Sequence, residues 1–191
     1  MHQLDLGSGL LSDVHYRPSP NFNERPDEAD ISLLVIHGIS LPAGQFDTPY
    51  IDALFTNTLD LTADASFAAL EGVRVSAHLL IDRAGQVTQY VPFHKRAWHA
   101  GESQFAGRSN CNDFSIGIEL VGSDTVIYTA LQYKKLVEIT RALMHYYPRI
   151  THDRIVGHCD IAPGRKTDPG EVFDWDKYRE MLSRHRPLSE G

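Results

Sequence analysis

The residues most able to do chemistry crowd between Gly157 and Gly170, in the run Gly-His-Cys-Asp-Ile-Ala-Pro-Gly-Arg-Lys-Thr-Asp-Pro-Gly. His158 and Asp168 are potential metal ligands, and Lys166 places a cation between them. Pro163, Gly164, Pro169 and Gly170 argue against a continuous helix and for a shaped loop. Loops anchored at strand ends commonly carry binding and catalytic groups, although a solvated loop with incidental charges has the same composition. Far upstream, His37 closes an apolar run. A catalytic zinc takes three protein ligands and keeps one position open, and His37, His158 and Asp168 can supply two imidazoles and one carboxylate. That donor set leaves a dication with a net charge near +1, enough to bring a bound water towards a pKa of ~7 and to polarise a carbonyl. The spacing is not the compact helical one of the H-E-x-x-H class, and a histidine taken singly is more often structural than ligating.

Glu119 is the second anomaly. It interrupts the apolar run Ser115–Val121, facing away from Ile116, Ile118 and Leu120 and sharing its face with Ser115 and Gly117. A carboxylate inside such a strand is costly without a partner. Two readings stand: a general base beside a metal-activated water, with Gly117 leaving room as a pocket floor would, or a buried glutamate paired with an arginine.

These groups need elements to hold them. Ile31–His37 is nearly unbroken in apolar residues and dense in β-branched ones, the pattern of a strand buried on both faces. Gly38 should then let the chain turn away. Thr48-Pro49 resembles an N-cap and first helical position for a helix running to about Asn57. A short helix is expected over Ala65–Leu70. Val73–Asp82 alternates as a strand, Arg83–Gln86 reads as a hairpin turn, and Val87–Val91 as the return strand. Thr129 caps a predicted amphipathic helix with Leu131, Leu136, Ile139, Leu143 and Tyr146 on one stripe, stopped by Pro148. Asp174–Leu182 predicts a closing helix. Residues 1–30, rich in proline, asparagine and aspartate, predict an extended N-terminal arm. The sum is a single α/β domain spanning 1–191, built on a mixed central β-sheet.

Composition sets the outer limits. The 191 residues, 42% hydrophobic and 23% charged, suit one soluble domain with one core. A formal charge of −7 argues against nucleic acid as a partner. No apolar run approaches the ~20 residues that cross a bilayer, and the first residues lack a basic segment followed by an apolar one. A cytoplasmic protein is therefore expected. Cys111 and Cys159 are too few for a disulfide framework and are read as free thiols.

Five segments together resemble the zinc-dependent N-acetylmuramoyl-L-alanine amidases, and within them the cytoplasmic branch that recycles cell wall. They are Leu34–His37 with Ile39–Pro42, Trp98–Gly101, Asn112–Leu120, Gly157–Pro163 and Arg165–Gly170, in order along the chain. The resemblance implies zinc on His37, His158 and Asp168, Glu119 as the group that activates water, and Lys166 as the stabiliser of the developing oxyanion. It implies a mixed β-sheet flanked by helices with the metal in a groove at one sheet edge, and an anhydro-muropeptide substrate, cut between the lactyl group of 1,6-anhydro-N-acetylmuramic acid and L-alanine, with no obligate protein partner. Where inducible β-lactamase is present, it also implies a link to its induction. Relatives commonly carry Asn after the first histidine ligand, where this chain has Gly38.

Secondary candidates follow. Arg74 and Arg108, each beside a motif strand, are expected to hold substrate carboxylates. Trp98 and His99 are expected to line the groove. His78 is read as a hydrogen-bonded structural histidine, and Tyr50 as a packed aromatic. Cys159 is set aside because an extended segment would point it away from His158.

Overall fold

Two seven-residue strands, Leu33–Ile39 (β2) and Ser115–Val121 (β5), form the middle of the sheet. In the computed structural model, which describes residues 3–184, they lie parallel with Ser115 opposite Leu33 and Glu119 opposite His37. They are apolar in sequence because both of their faces are covered. Leu34, Ile36, Ile116, Ile118 and Leu120 face a core shared with two helices. Leu33 and Val35 face a smaller cluster with Ala100, Cys111, Phe114 and Ile161. By alternation, His37, Ser115, Gly117 and Glu119 belong to this second face.

Four shorter strands complete the sheet: His15–Tyr16 (β1), Leu79–Ile81 (β3), Val87–Gln89 (β4) and Ile155–Gly157 (β6). Their order is β6-β2-β5-β3-β4-β1. All neighbours are parallel except the β3–β4 hairpin, so the sheet is mixed. Helices Ala130–Tyr146 (α2) and Trp175–Ser183 (α4) cover the first face. Thr129 caps α2 in a full capping box with Gln132, a motif worth about 1 kcal/mol. Leu136, Ile139 and Leu143 are buried along it as the periodicity requires, but Leu131 is exposed. Asp174 accepts from Lys177 N to start α4.

Several expectations change. The strand β2 continues through Gly38 to Ile39, because β5 keeps pairing with it as far as Val121. The helix after it is Tyr50–Phe55 (α1), and Thr48 spends its hydroxyl on Leu41 O instead of capping it. Of Val73–Asp82 only Leu79–Ile81 is strand. Before that, Ser76 N reaches Trp98 O and His78 N reaches Gly117 O without a regular ladder. The extended N-terminal segment docks on the domain. Leu4–Asp5 pairs with Leu10–Leu11, β1 joins the sheet edge, and Phe22–Glu24 pairs with Lys95–Ala97. Arg25 is buried beneath the sheet, donating to the carbonyls of Phe93, Asn112, Asp113 and Ser115. Cys111 and Cys159 are free thiols. Among the described residues no helix is long and apolar enough to cross a membrane. The ends of the predicted 1–191 span, residues 1–2 and 185–191, lie outside the described residues.

Candidate metal centre

Ligands in open α/β sheets gather beyond the carboxyl ends of the parallel strands, and the histidines lie there. His37 sits near the end of β2. His158 follows the edge strand β6 as the first residue of a one-turn helix, His158–Ile161 (α3), so the run from Gly157 begins as a helical turn and only then becomes a loop. That loop returns Asp168 to the same point. Cys159 N bonds Asp168 O, closing it back on α3. Cys159 lies in that helical turn rather than in an extended segment, and it is not among the three residues that could hold a metal ion.

His37 Nδ1 lies 3.0 Å from His158 Nδ1, and Asp168 Oδ2 lies 3.2 and 3.1 Å from the two nitrogens. Zinc bonds of ~2.0–2.1 Å in tetrahedral array set neighbouring ligand atoms ~3.3 Å apart, so this near-equilateral triangle matches one face of such a tetrahedron. The three residues form a group that could hold a metal ion. His37 has the protonation state a metal needs. Burial holds His37 down to about 4, so its imidazole is neutral near pH 7. Burial pushes the Asp168 carboxyl upward, but the contacts of its Oδ2 with the His158 and His37 imidazoles outweigh that and keep the group well below the usual carboxylate range. His158 uses its other nitrogen, Nε2, to reach Ala100 O at 3.1 Å.

Glu119 arrives beside the triangle by strand register alone, with Oε1 4.0 Å from His37 Nδ1. Its Oε2 is buried without a hydrogen-bond partner. No arginine pairs with it among the described residues, which removes the structural reading of this carboxylate. Burial, reinforced by Asp168, raises its pKa well above the ordinary value, and Lys166 pulls the other way. A carboxylate with a raised pKa, one free oxygen and a position next to the ligands can accept a proton from water. Lys166 is exposed on the loop between the ligands, near enough for its charge to act on both Glu119 and His37.

Residues 27–171 match the family described as N-acetylmuramoyl-L-alanine amidase. The chain belongs to this family. The amidase is 55% identical over 179 residues, 94% of this chain and 97% of the relative, to 1,6-anhydro-N-acetylmuramyl-L-alanine amidase AmpD of Escherichia coli K12. It superposes on the crystal structure of a Se-Met AmpD derivative with a TM-score of 0.90 at 54% identity, covering 94% of this chain and 99% of the other. The amidase AmiD of Escherichia coli, solved with anhydro-N-acetylmuramic acid-L-Ala-D-gamma-Glu-L-Lys, superposes at 0.59 and 30% identity, over 80% of this chain and 57% of that one.

The structure does not bring every predicted residue of the amidase to the metal triangle. Arg108 pairs with Asp30 at 2.7 Å and lies over the Phe114 ring, at the opening end of β2 and β5, roughly 13 Å of strand away from the His37–Glu119 level. Arg74 is exposed and reaches only Val73 O. Trp98 is half-buried with its indole N–H on Asn23 Oδ1, 2.7 Å away. His99 lines no groove: it is buried behind His37, with its ring over Gly117. The space expected above Gly117 is thus filled by this imidazole. His78 is structural as expected. It accepts from Gly117 N at Nδ1 and lies 3.0 Å from Lys95 O at Nε2, which leaves neither nitrogen for a metal. Tyr50 packs edge-on against Phe67.

Supports that no local pattern announced complete the site. Asn112 Oδ1 accepts from both His99 N and Ala100 N, fixing the loop that offers Ala100 O to His158. Arg165 donates to the same carbonyl at 2.6 Å and borders a concavity of about 570 Å³ with Glu102, Ser103, Asn110 and Pro163. Tyr128, buried behind the ligand loop, donates to Pro169 O at 2.9 Å. Its hydroxyl occupies the space that a side chain at position 38 would take.

Proposed function

We propose that the chain hydrolyses the amide bond between the lactyl group of 1,6-anhydro-N-acetylmuramic acid and L-alanine in muropeptides, using zinc held by His37, His158 and Asp168. The observation that carries the proposal is the ligand triangle with the unpartnered buried oxygen of Glu119 beside it. Bound zinc supplies Lewis acidity at its open position. Glu119 accepts the proton of the attacking water and returns it to the alanine nitrogen as the C–N bond breaks; the second proton of that water passes from the new acid to the amine, leaving a lactyl carboxylate and an alanine ammonium group. Lys166, whose charge acts on both Glu119 and His37, stabilises the charge that develops on the carbonyl oxygen.

The concavity bordered by Arg165 offers a guanidinium, held on Ala100 O and Glu102 O, to the carboxylates of a stem peptide. Arg74, exposed and free of any carboxylate partner among the described residues, is available for the same task. Trp98, beside His99 in sequence, forms part of the groove wall. We place the reaction in the cytoplasm, as one step of peptidoglycan recycling, with no nucleic acid, membrane or obligate protein partner.

The test is incubation with purified anhydro-muropeptide and mass spectrometry for free peptide, before and after chelation and zinc return, with intact sacculi as the competing substrate. Release of peptide that chelation stops and zinc restores, with sacculi left largely uncut, is the expected result. Turnover indifferent to chelation refutes the metal mechanism, and preference for sacculi refutes the substrate.

A further inference from the structure

His37 presents Nδ1 to the ligand triangle, which turns Nε2 inward. There it meets His99 Nδ1 at 2.9 Å, and His99 Nε2 lies 3.1 Å from Ser115 Oγ. A neutral imidazole has one N–H and one lone pair, so the direction of the first contact fixes the second. If His37 Nδ1 gives its lone pair to a metal, the ring proton sits on Nε2 and is donated to His99 Nδ1. His99 must then carry its own proton on Nε2 and donate it to the Ser115 oxygen. The opposite direction puts a proton on His37 Nδ1, the ligand atom itself.

We propose that His99 is a positioning residue that selects the ligating tautomer of His37, with Ser115 as the last acceptor and Gly117 as the gap that admits its ring. The inference rests on the reading of the triangle as a metal centre. The usual partner of a ligand's second nitrogen is a carboxylate or a carbonyl; here it is an imidazole, whose other nitrogen faces a hydroxyl that can accept from it. The geometry holds this ring in place from three directions. Asn112 fixes its backbone. The ring meets His37 edge-on, with centroids 5.0 Å apart. A Cβ at position 117 would overlap the His99 ring, so Gly117 is required where it stands. His99 is 8% exposed, which keeps water from competing for either nitrogen.

The experiment measures zinc affinity by competition with a chromophoric chelator for wild type, His99→Phe, His99→Asn and Gly117→Ala, alongside the melting temperature of each metal-free protein. The Phe and Gly117→Ala variants are expected to bind zinc about 10–100-fold more weakly. Asn, whose Oδ1 can accept near the place of Nδ1, should recover most of that loss. A purely structural role would lower the metal-free melting temperatures and leave the affinities alike. Independently, ¹⁵N–¹H correlation of histidine-labelled, zinc-loaded wild type should show His99 protonated at Nε2, a result that does not depend on any variant folding. Protonation at Nδ1, or a folded His99→Phe that binds zinc as tightly as wild type, overturns the inference alone. Wild type that takes up no zinc overturns the metal centre as well.

Discussion

The contact between Gly38 and Tyr128 can be tested quantitatively. Gly38 lies within β2 with ordinary strand backbone, so alanine meets no conformational barrier there and would by itself gain about 0.5–1 kcal/mol. The obstacle is the Tyr128 hydroxyl, which a Cβ would overlap. Moving it breaks the buried bond to Pro169 O. That costs about 1–3 kcal/mol, depending on whether the carbonyl finds another donor. Displacing a ring in a filled core adds about 1–3 kcal/mol. Gly38→Ala should therefore destabilise by about 1–5 kcal/mol, the two costs less the gain from alanine. In a Tyr128→Phe background the offending atom is gone, and the nearest remaining atoms, Pro169 Cα at 3.4 Å and Tyr128 Cζ at 3.5 Å, are at ordinary contact distance. There the same substitution should cost almost nothing. Urea unfolding of the four proteins of this cycle, with chelator present so that metal binding does not contribute, should give a coupling of about 2 kcal/mol or more. Additive effects to within about 0.5 kcal/mol would refute the reasoning. The same contact explains how the chain does without a side chain at 38: the tyrosine takes the space and ties down the loop that carries Asp168.

Other outcomes can be checked more briefly. Glu119→Gln should lower turnover by about 10²–10⁴, the scale of a lost general base, with metal content by elemental analysis unchanged; near-normal turnover would remove Glu119 from the mechanism. Arg108→Ala, which breaks a half-exposed pair with Asp30, should cost about 0–1 kcal/mol in unfolding and leave KM for muropeptide unaltered; a large rise in KM would bring Arg108 back to the substrate. Burial holds His78 and His99 well below their ordinary pKa and His37 at about 4. Unfolded, all of them would take up protons near pH 6.5. Below that pH the unfolded chain binds more protons, so stability falls as pH falls, by up to about 1.4 kcal/mol per unit for each histidine. The metal-free protein should thus melt at a steady temperature above pH 7 and lose stability steeply below pH 6. A flat profile from pH 7 to pH 5 would show that these rings are not buried neutral.

The parts of the site that could be read from sequence are those whose local cost is visible. Glu119 is conspicuous because a carboxylate in an apolar strand demands an explanation, and the turn residues around Asp168 mark a shaped loop. The central strands were legible because burial on both faces leaves no polar alternation. What escaped depends on partners distant in sequence. Arg25 finds its carbonyls at Phe93 and from Asn112 to Ser115, and nothing near Arg25 announces them. The role of His99 is set by a glycine on another strand. Arg108 was placed by its neighbourhood to a motif strand, but it stands at the strand's opening end, where adjacency in sequence means distance from the site.

Register ties the fold to the chemistry. Side chains alternate across a sheet with a period of two, so a slip of one residue exchanges the faces of a strand. In β2 such a slip would turn His37 towards the helices and bring Leu34 and Ile36 to the site; in β5 it would do the same to Glu119, Ile116 and Ile118. Burying an imidazole and a carboxylate under α2 and α4 while exposing four aliphatic side chains to a polar cavity is costly on both counts. Hydrophobic burial on the helix face therefore holds His37 opposite Glu119. The sheet needs no interaction between those two residues to place them, which is why Glu119 Oε2 can be left without a hydrogen-bond partner, available to water, beside an imidazole that faces the ligand triangle.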